Sequence, residues 1–246
     1  MSARDKHRDE PEATLVWERP EPTRKAAPEP LSRERIVRAA IAIADAEGLP
    51  AVSLRNVGAA LSAGPMRLYG YVATKEELLD LMVDAVYGEM VPARTPRGDW
   101  RKALRAIAHR MRRTAGDHPW FVDLVGGRPH IGPHALAHME TTLASLSSTA
   151  GFEEIDAIMQ AVGTVNAYVL GALRAQKTER QAELDTGMDE QQWQTATSPY
   201  MHRMLATGRY PLLGRVVREA NHPSPDVVFD RGLDCVLDGI AARFVR

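Results

Sequence analysis

The 246 residues include a single cysteine, Cys235, and aromatic side chains make up only 6% of the chain. A lone thiol excludes both an internal disulfide framework and a cysteine-rich zinc site. Few aromatics, beside plentiful Ala, Leu, Arg and Met, favour helices over strands. Net charge is also missing. With 31 Lys and Arg against 32 Asp and Glu the formal charge is -1, so any basic surface that meets nucleic acid must be local. No apolar stretch approaches a membrane span, and the N-terminal MSARDKHRDEPEATLV lacks the apolar core of a signal peptide. These absences lead to the expectation of a cytoplasmic protein. What remains is ordinary globular material, 44% apolar and 26% charged, long enough for a compact domain and a small accessory one.

Residues 1–30 carry prolines at 11, 20, 22, 28 and 30 among mixed charges. Such a segment has too little apolar surface to offset its ordering entropy and reads as a disordered N-terminal arm. Leu15, Val16 and Trp17 are its one apolar cluster, and a chance cluster on a flexible tail is the favoured reading over a docked one. From Ser32, an N-cap, the pattern turns helical. Ile36, Val37, Ala40, Ile41 and Ala44 recur at helical spacing until Gly48 ends the run. Ser53 caps a second short helix with Leu54, Val57 and Leu61 inward. Ser62-Ala63-Gly64 makes a tight turn, and Pro65 suits the first turn of a third helix, which points Leu68 and Val72 inward. Thr74 caps a fourth helix that runs to about Met90, with Leu78, Leu79, Met82, Val83 and Val86 as its stripe. This unit spans 31–91.

After a proline-rich linker at 92–98, the helical stripes continue through residues 95–246. They are Trp100, Leu104, Ile107 and Met111; then Leu136, Met139, Leu143 and Leu146; then Ile155, Ile158, Met159, Val162, Val165, Val169 and Leu170. The last comprises Phe229, Leu233, Val236, Leu237, Ile240 and Phe244. No run alternates as a strand would, so the fold class is all-α. The polar stretch 176–198 predicts a mobile loop between two late helices.

Residues 53–75 hold the chemistry. A two-turn helix, a tight turn and a short helix with polar outward positions form a helix-turn-helix, whose second helix is sized for the major groove. Arg67 can donate to guanine O6 and N7 or to a phosphate, and Met66 can pack on a thymine methyl. Tyr69 and Tyr71, flanking Gly70, offer hydroxyls at the groove edge. Lys75 can join backbone N–H groups on a phosphate at the start of the fourth helix. Over 32–75 the cations are Arg33, Arg35, Arg38, Arg55, Arg67 and Lys75, and the anions Glu34, Asp45 and Glu47. The unit is basic inside a chain that is slightly acidic. A helical hairpin with solvated arginines accounts for those charges, but not for two tyrosines around one glycine on so short a helix.

The stretch from Leu31 to Asp84 resembles the N-terminal domain of TetR-type repressors. The likeness rests on the apolar residues, the Gly48 break, Ser53-Leu54-Arg55, Leu68-Tyr69, Val72 and the Lys75-Glu76-Glu77-Leu78 helix start. It implies DNA contacts at Ser53, Arg55, Pro65, Met66, Arg67, Tyr69, Gly70, Tyr71 and Lys75. Gly70 and Tyr71 depart from the family, which commonly has a larger residue and His there. The part after residue 95 resembles the C-terminal domain of the tetracycline-repressor subgroup through Gly126-Gly127-Arg128-Pro129, Gly151-Phe152 and Ala161-Val162-Gly163. That likeness implies a domain that dimerises and encloses a small-molecule effector, whose binding swings the fourth helix. The histidine that holds drug-bound magnesium in that subgroup falls on Leu124, so a tetracycline–magnesium ligand is not expected.

Dimerisation also has a physical argument. Gly163, Ala167 and Gly171 put small side chains on one helix face, and the final helix has an apolar stripe that a small domain would struggle to cover alone. Plain core helices would show the same period. Candidate effector contacts are Leu104, Ile107, Met111, Leu124, Met139, Thr142, Leu143 and Asn166, an apolar set with few polar anchors. His130, His134 and His138 recur every four residues, but Gly132-Pro133 breaks the helix between them. Surface histidines are therefore favoured over a metal site, and neither metal nor cofactor is expected. The reading is a homodimeric, ligand-responsive repressor of near-palindromic operator DNA, with no membrane partner. An all-α enzyme is the first alternative, with Asp117-His118 and the histidine cluster as its only raw material. A DNA-binding protein without effector is the second.

Overall fold

The computed structural model describes residues 15–21, 30–91 and 98–245. The linker at 92–97 and most of the proposed arm lie outside the described residues. Eleven helices and one 3-10 turn, with no strand among the described residues, make up the structure. The expected all-α class holds.

The N-terminal unit comprises α1 (Arg33–Glu47), a 3-10 turn at Leu49–Ala51, α2 (Leu54–Ala60), α3 (Pro65–Leu68) and α4 (Lys75–Met90). Its caps are those the sequence predicts. Ser32, Ser53 and Thr74 each accept from the backbone N–H three residues on, satisfying donors that a helix start leaves unpaired. Gly48, at φ +82°, turns the chain out of α1. Ile36, Ala40, Val57, Leu68, Val72, Leu78 and Met82 meet in one core. Gly58 permits the close approach of α2 to the turn before α3, because a Cβ there would lie 2.7 Å from the Ala63 carbonyl oxygen.

Residues 15–21 pack on this unit instead of trailing from it, which corrects part of the disordered-arm expectation. Val16 is buried in the core, Arg19 pairs with Glu77, and Arg33 Nη2 donates to the Arg19 carbonyl at 3.0 Å. Burial of Val16 and this polar stitching supply what composition alone did not reveal.

The C-terminal bundle contains α5 (Trp100–Asp117), α6 (Phe121–Leu124), α7 (Pro133–Ala144), α8 (Ile155–Thr186), α9 (Glu190–Ala206), α10 (Pro211–Glu219) and α11 (Pro225–Phe244). Helix α11 lies on α8 and α5. Its stripe of Phe229, Leu233, Leu237 and Ile240 is buried within the chain, so it is not the uncovered surface the sequence pointed to. A ladder of cations on α5 and acids on α11 fixes their antiparallel register. Arg101 meets Asp238 at 2.6 Å, Arg105 pairs with Asp234, His109 meets Asp230 at 3.0 Å and Arg112 meets Asp226 at 2.7 Å. Such exposed pairs contribute little each, and their effect is chiefly on alignment.

Two further expectations change. The stretch 176–198 is helical except for a short break: α8 continues to Thr186 and α9 starts at Glu190. Gly187 ends α8 in the left-handed region, and Asp189 with Gln192 forms a capping box. Local bonds such as Gln181 Nε2 to Asp185 at 2.8 Å support a polar helix that periodicity alone does not flag. On α7 the buried face is Ala135, His138 and Thr142, while Leu136 is exposed and Met139 keeps over a third of its surface accessible. On α8, Ile155 and Met159 are likewise exposed. No helix among the described residues is long and apolar enough to cross a membrane.

Candidate DNA-recognition face and effector cavity

Helix α3 is a single turn, set against α2 by Leu68 and started by Pro65, whose missing N–H falls where no helical bond is due. Its outward face is well exposed: Met66 keeps 81% of its surface accessible, and Pro65, Arg67, Tyr69 and Gly70 stand beside it. The Arg67 side chain makes no hydrogen bond or ion pair within the described residues. Arg55 on α2 and Lys75 at the start of α4 are exposed too. Ser53 is half-buried, and its hydroxyl oxygen accepts from the Asn56 N–H at 3.1 Å as the α2 cap.

Tyr71 is the exception among the nine proposed DNA contacts. Only 6% of it is exposed, and its carbonyl accepts from Arg33 Nε at 3.4 Å. Its side chain belongs to the core, not to the outward face the sequence assigned it. The chain leaves the helix after Leu68, so the helical spacing used to place Tyr71 no longer applies.

Between α4, α5, α7 and α8 lies a cavity of about 350 Å³, within the range of small-ligand sites. Of the proposed effector contacts, Met111, Met139, Thr142, Leu143 and Asn166 line it. Leu104 and Ile107 are buried elsewhere in the core and Leu124 is half-buried outside the lining. Sequence reasoning missed Tyr87, His138, Val162 and the turn from Val125 to His130. The Gly126-Gly127-Arg128-Pro129 motif was the available signal for that turn. Nothing in a period of 3.6 distinguishes Tyr87 from any other α4 core position.

His138 lies on the cavity wall beside the Tyr87 ring, with ring centroids 5.4 Å apart. Burial, and then the positive charge of Arg110, push its imidazole down to about 4. The ring is therefore neutral at physiological pH and offers one donor and one acceptor. It is not the surface histidine expected. The other two histidines of the trio also have separate partners: His130 Nε2 lies 3.1 Å from the Leu124 carbonyl, and His134 Nδ1 lies 3.1 Å from Asp84.

Asp84 connects the cavity to the N-terminal unit. It is a buried carboxylate on α4 that accepts from the N–H groups of His134 at 3.0 Å and Ala135 at 2.9 Å, the first turn of α7. A carboxylate at a helix N-terminus satisfies orphan donors and complements the helix dipole. Gly132 makes the approach possible, since a Cβ there would sit 2.2 Å from the carboxylate. A second, larger cleft of about 520 Å³ between α5, α8 and the start of α11 is walled largely by charge, including Arg112, Arg113, Lys177 and Arg180. Its apolar lining is confined to a few residues, among them Ala115, Val122 and Leu173.

The chain is similar to known proteins over most of its length. A family model described as "Tetracyclin repressor-like, C-terminal domain" matches residues 91–244. The HTH-type transcriptional repressor DrrR1 of Streptomyces coeruleorubidus is 37% identical over 92% of this chain and 83% of its own. Among solved structures, apo ActR from Streptomyces coelicolor aligns with a TM-score of 0.71 and 27% identity, covering 87% of this chain and 97% of ActR. ActR in complex with actinorhodin aligns with a TM-score of 0.71 and 26% identity, covering 88% of this chain and 98% of that one.

Proposed function

The chain belongs to the tetracycline-repressor (TetR) family, and from that premise we propose that it is a homodimeric transcriptional repressor released from its operator by a small molecule. Residues 31–91 form the DNA-binding domain and the helices after residue 95 the effector-binding and dimerisation domain. The observation that carries this reading is the coexistence of the exposed α3 face and the α4–α8 cavity, joined through Asp84. Arg67 reads a base or grips a phosphate, Met66 packs at the groove floor, and Arg55, Tyr69 and Lys75 hold the backbone. The protein acts in the cytoplasm as a regulator, without a catalytic role.

Two copies are required for a near-palindromic site. Support for a dimer comes from surfaces that the single chain leaves open. Gly171 faces free space on α8, while Gly163 opens onto the cavity. Helices α9 and α10 bury almost nothing of their own, leaving Trp193, Tyr200, Leu212 and Val216 exposed. Such apolar exposure is typical of an interaction surface. The α4–α8 cavity takes a largely apolar effector with a few hydrogen-bonding groups, met by neutral His138, Thr142 and Asn166. ActR's complex makes actinorhodin the first molecule to try.

Footprinting on the DNA upstream of the chain's own gene tests the assignment. One protected, near-palindromic segment is expected at physiological salt, its affinity falling steeply as salt rises because phosphate contacts release counterions. A folded dimer that protects no segment would overturn it.

A further inference from the structure

His118, noted in the sequence only as possible raw material for catalysis, sits where the two halves of the molecule meet. It follows the last residue of α5, and its own N–H closes that helix onto the Thr114 carbonyl at 2.8 Å. Only 9% of the residue is exposed. Its Nδ1 lies 2.8 Å from Asp45 Oδ1 in the last turn of α1, and its Nε2 lies 3.2 Å from Glu89 Oε2 in the last turn of α4. Trp120 Nε1 donates to the same Asp45 oxygen at 2.7 Å. One ring thus touches both long helices of the DNA-binding unit.

An ionised carboxylate can only accept hydrogen bonds, so a ring held between two of them satisfies both only when both nitrogens carry protons. We propose that His118 is a positioning residue for operator binding, an imidazolium brace that ties the α5–α6 corner to the C-terminal turns of α1 and α4 and lets go when the ring loses its proton. The inference rests on the repressor reading above.

Charge supports the geometry. Asp45 and Glu89 both stand at helix C-termini, where the dipole disfavours carboxylates and a cation between them offsets the cost. Among the described residues these two are the charged groups facing the ring, one from α1 and one from α4. Asp117 precedes it on α5 but is exposed and makes no recorded contact with it, and Trp120 meets it with an uncharged ring at 5.9 Å. Burial pushes the imidazole down, but Asp45 and then Glu89 outweigh that and hold it above the ordinary 6.5. The brace is therefore fully loaded below pH 6.5 and is lost as pH rises through the raised value. Without it, a nitrogen lone pair faces a carboxylate and the DNA-binding unit is less restrained. The dimer then pays more entropy to set its two recognition helices at the operator spacing.

The test uses the full-length protein and the operator segment found by footprinting, with anisotropy measured at constant salt from pH 6 to 9. Wild-type affinity is expected to fall at least about fivefold, the lower end of ordinary coupling between sites. His118→Gln and Asp45→Asn should flatten that step. His118→Arg, whose permanent planar cation can bridge both acids, should keep affinity high at pH 9. An NMR titration of the His118 ring without DNA should place its midpoint above 6.5 in the wild type and lower it in Asp45→Asn. A wild-type midpoint at or below 6.5, or identical pH profiles for wild type and His118→Gln, would overturn the brace alone. A wild type that binds no operator at any pH would overturn the repressor reading and this role with it.

Discussion

Replacing Arg67 by Ala should weaken operator binding by roughly 2–6 kcal/mol for the dimer while leaving thermal stability unchanged. A good base contact contributes roughly 1–3 kcal/mol, and a symmetric dimer makes it twice. Stability is expected to hold because the Arg67 side chain is exposed and bonds nothing within the described residues. Salt dependence separates its two possible partners. Loss of a phosphate contact in each half-site lowers the slope of log affinity against log salt by about 2, while loss of a base contact leaves the slope and relaxes sequence preference. Anisotropy with operator and mutated operators, alongside a denaturation curve, reads both. Unchanged affinity would remove Arg67 from the recognition face.

The second large effect is expected from Asp84→Ala. The substitution strips two N–H groups at the start of α7 of their acceptor and removes one of the contacts between α4 and a wall of the cavity, leaving Tyr87 against His138. Losing charge-assisted bonds of this kind costs about 2–4 kcal/mol of stability, as a lost cap and an unsatisfied donor together would. The functional consequence reaches further. Helix α7 carries Ala135, His138, Met139, Thr142 and Leu143 to the cavity, and α4 carries the DNA-binding unit. With that connection weakened, operator binding should persist but respond less to ligand. Asp84→Asn, which keeps one acceptor oxygen, should retain part of the response. Urea denaturation gives the stability change, and operator release against ligand concentration gives the coupling. Full release with normal midpoint in Asp84→Ala would show that the signal travels by another route.

Much of this architecture was legible in the sequence, and the reasons are local. Ser32, Ser53, Thr74 and Gly48 state helix ends through chemistry that needs no tertiary context. The apolar periods of α1, α4, α5 and α11 pick out their buried faces because each packs one stripe inward. What the sequence hid was decided by partners distant in the chain. Helix α7 turns Ala135, His138 and Thr142 inward, and its start is held by Asp84, some fifty residues earlier. Val16 is buried, and Arg19 three residues on pairs with Glu77, a partner no local pattern names. Tyr71 left the outward face because α3 is only one turn long. The α5–α11 ladder was visible in retrospect. Asp226, Asp230, Asp234 and Asp238 recur every four residues, opposite Arg101, Arg105, His109 and Arg112 in reverse order.

If the chain is a ligand-released repressor, the cavity and the α3 face form one thermodynamic system. Reciprocal titration tests it most directly: operator affinity measured with and without a saturating ligand of the α4–α8 cavity, and the affinity of that ligand measured with and without operator. Linkage requires the two factors to be equal, and a coupling of roughly 5–150-fold in the direction of mutual exclusion is expected. A ligand that binds in the cavity of the folded dimer yet leaves operator affinity unchanged would contradict that coupling.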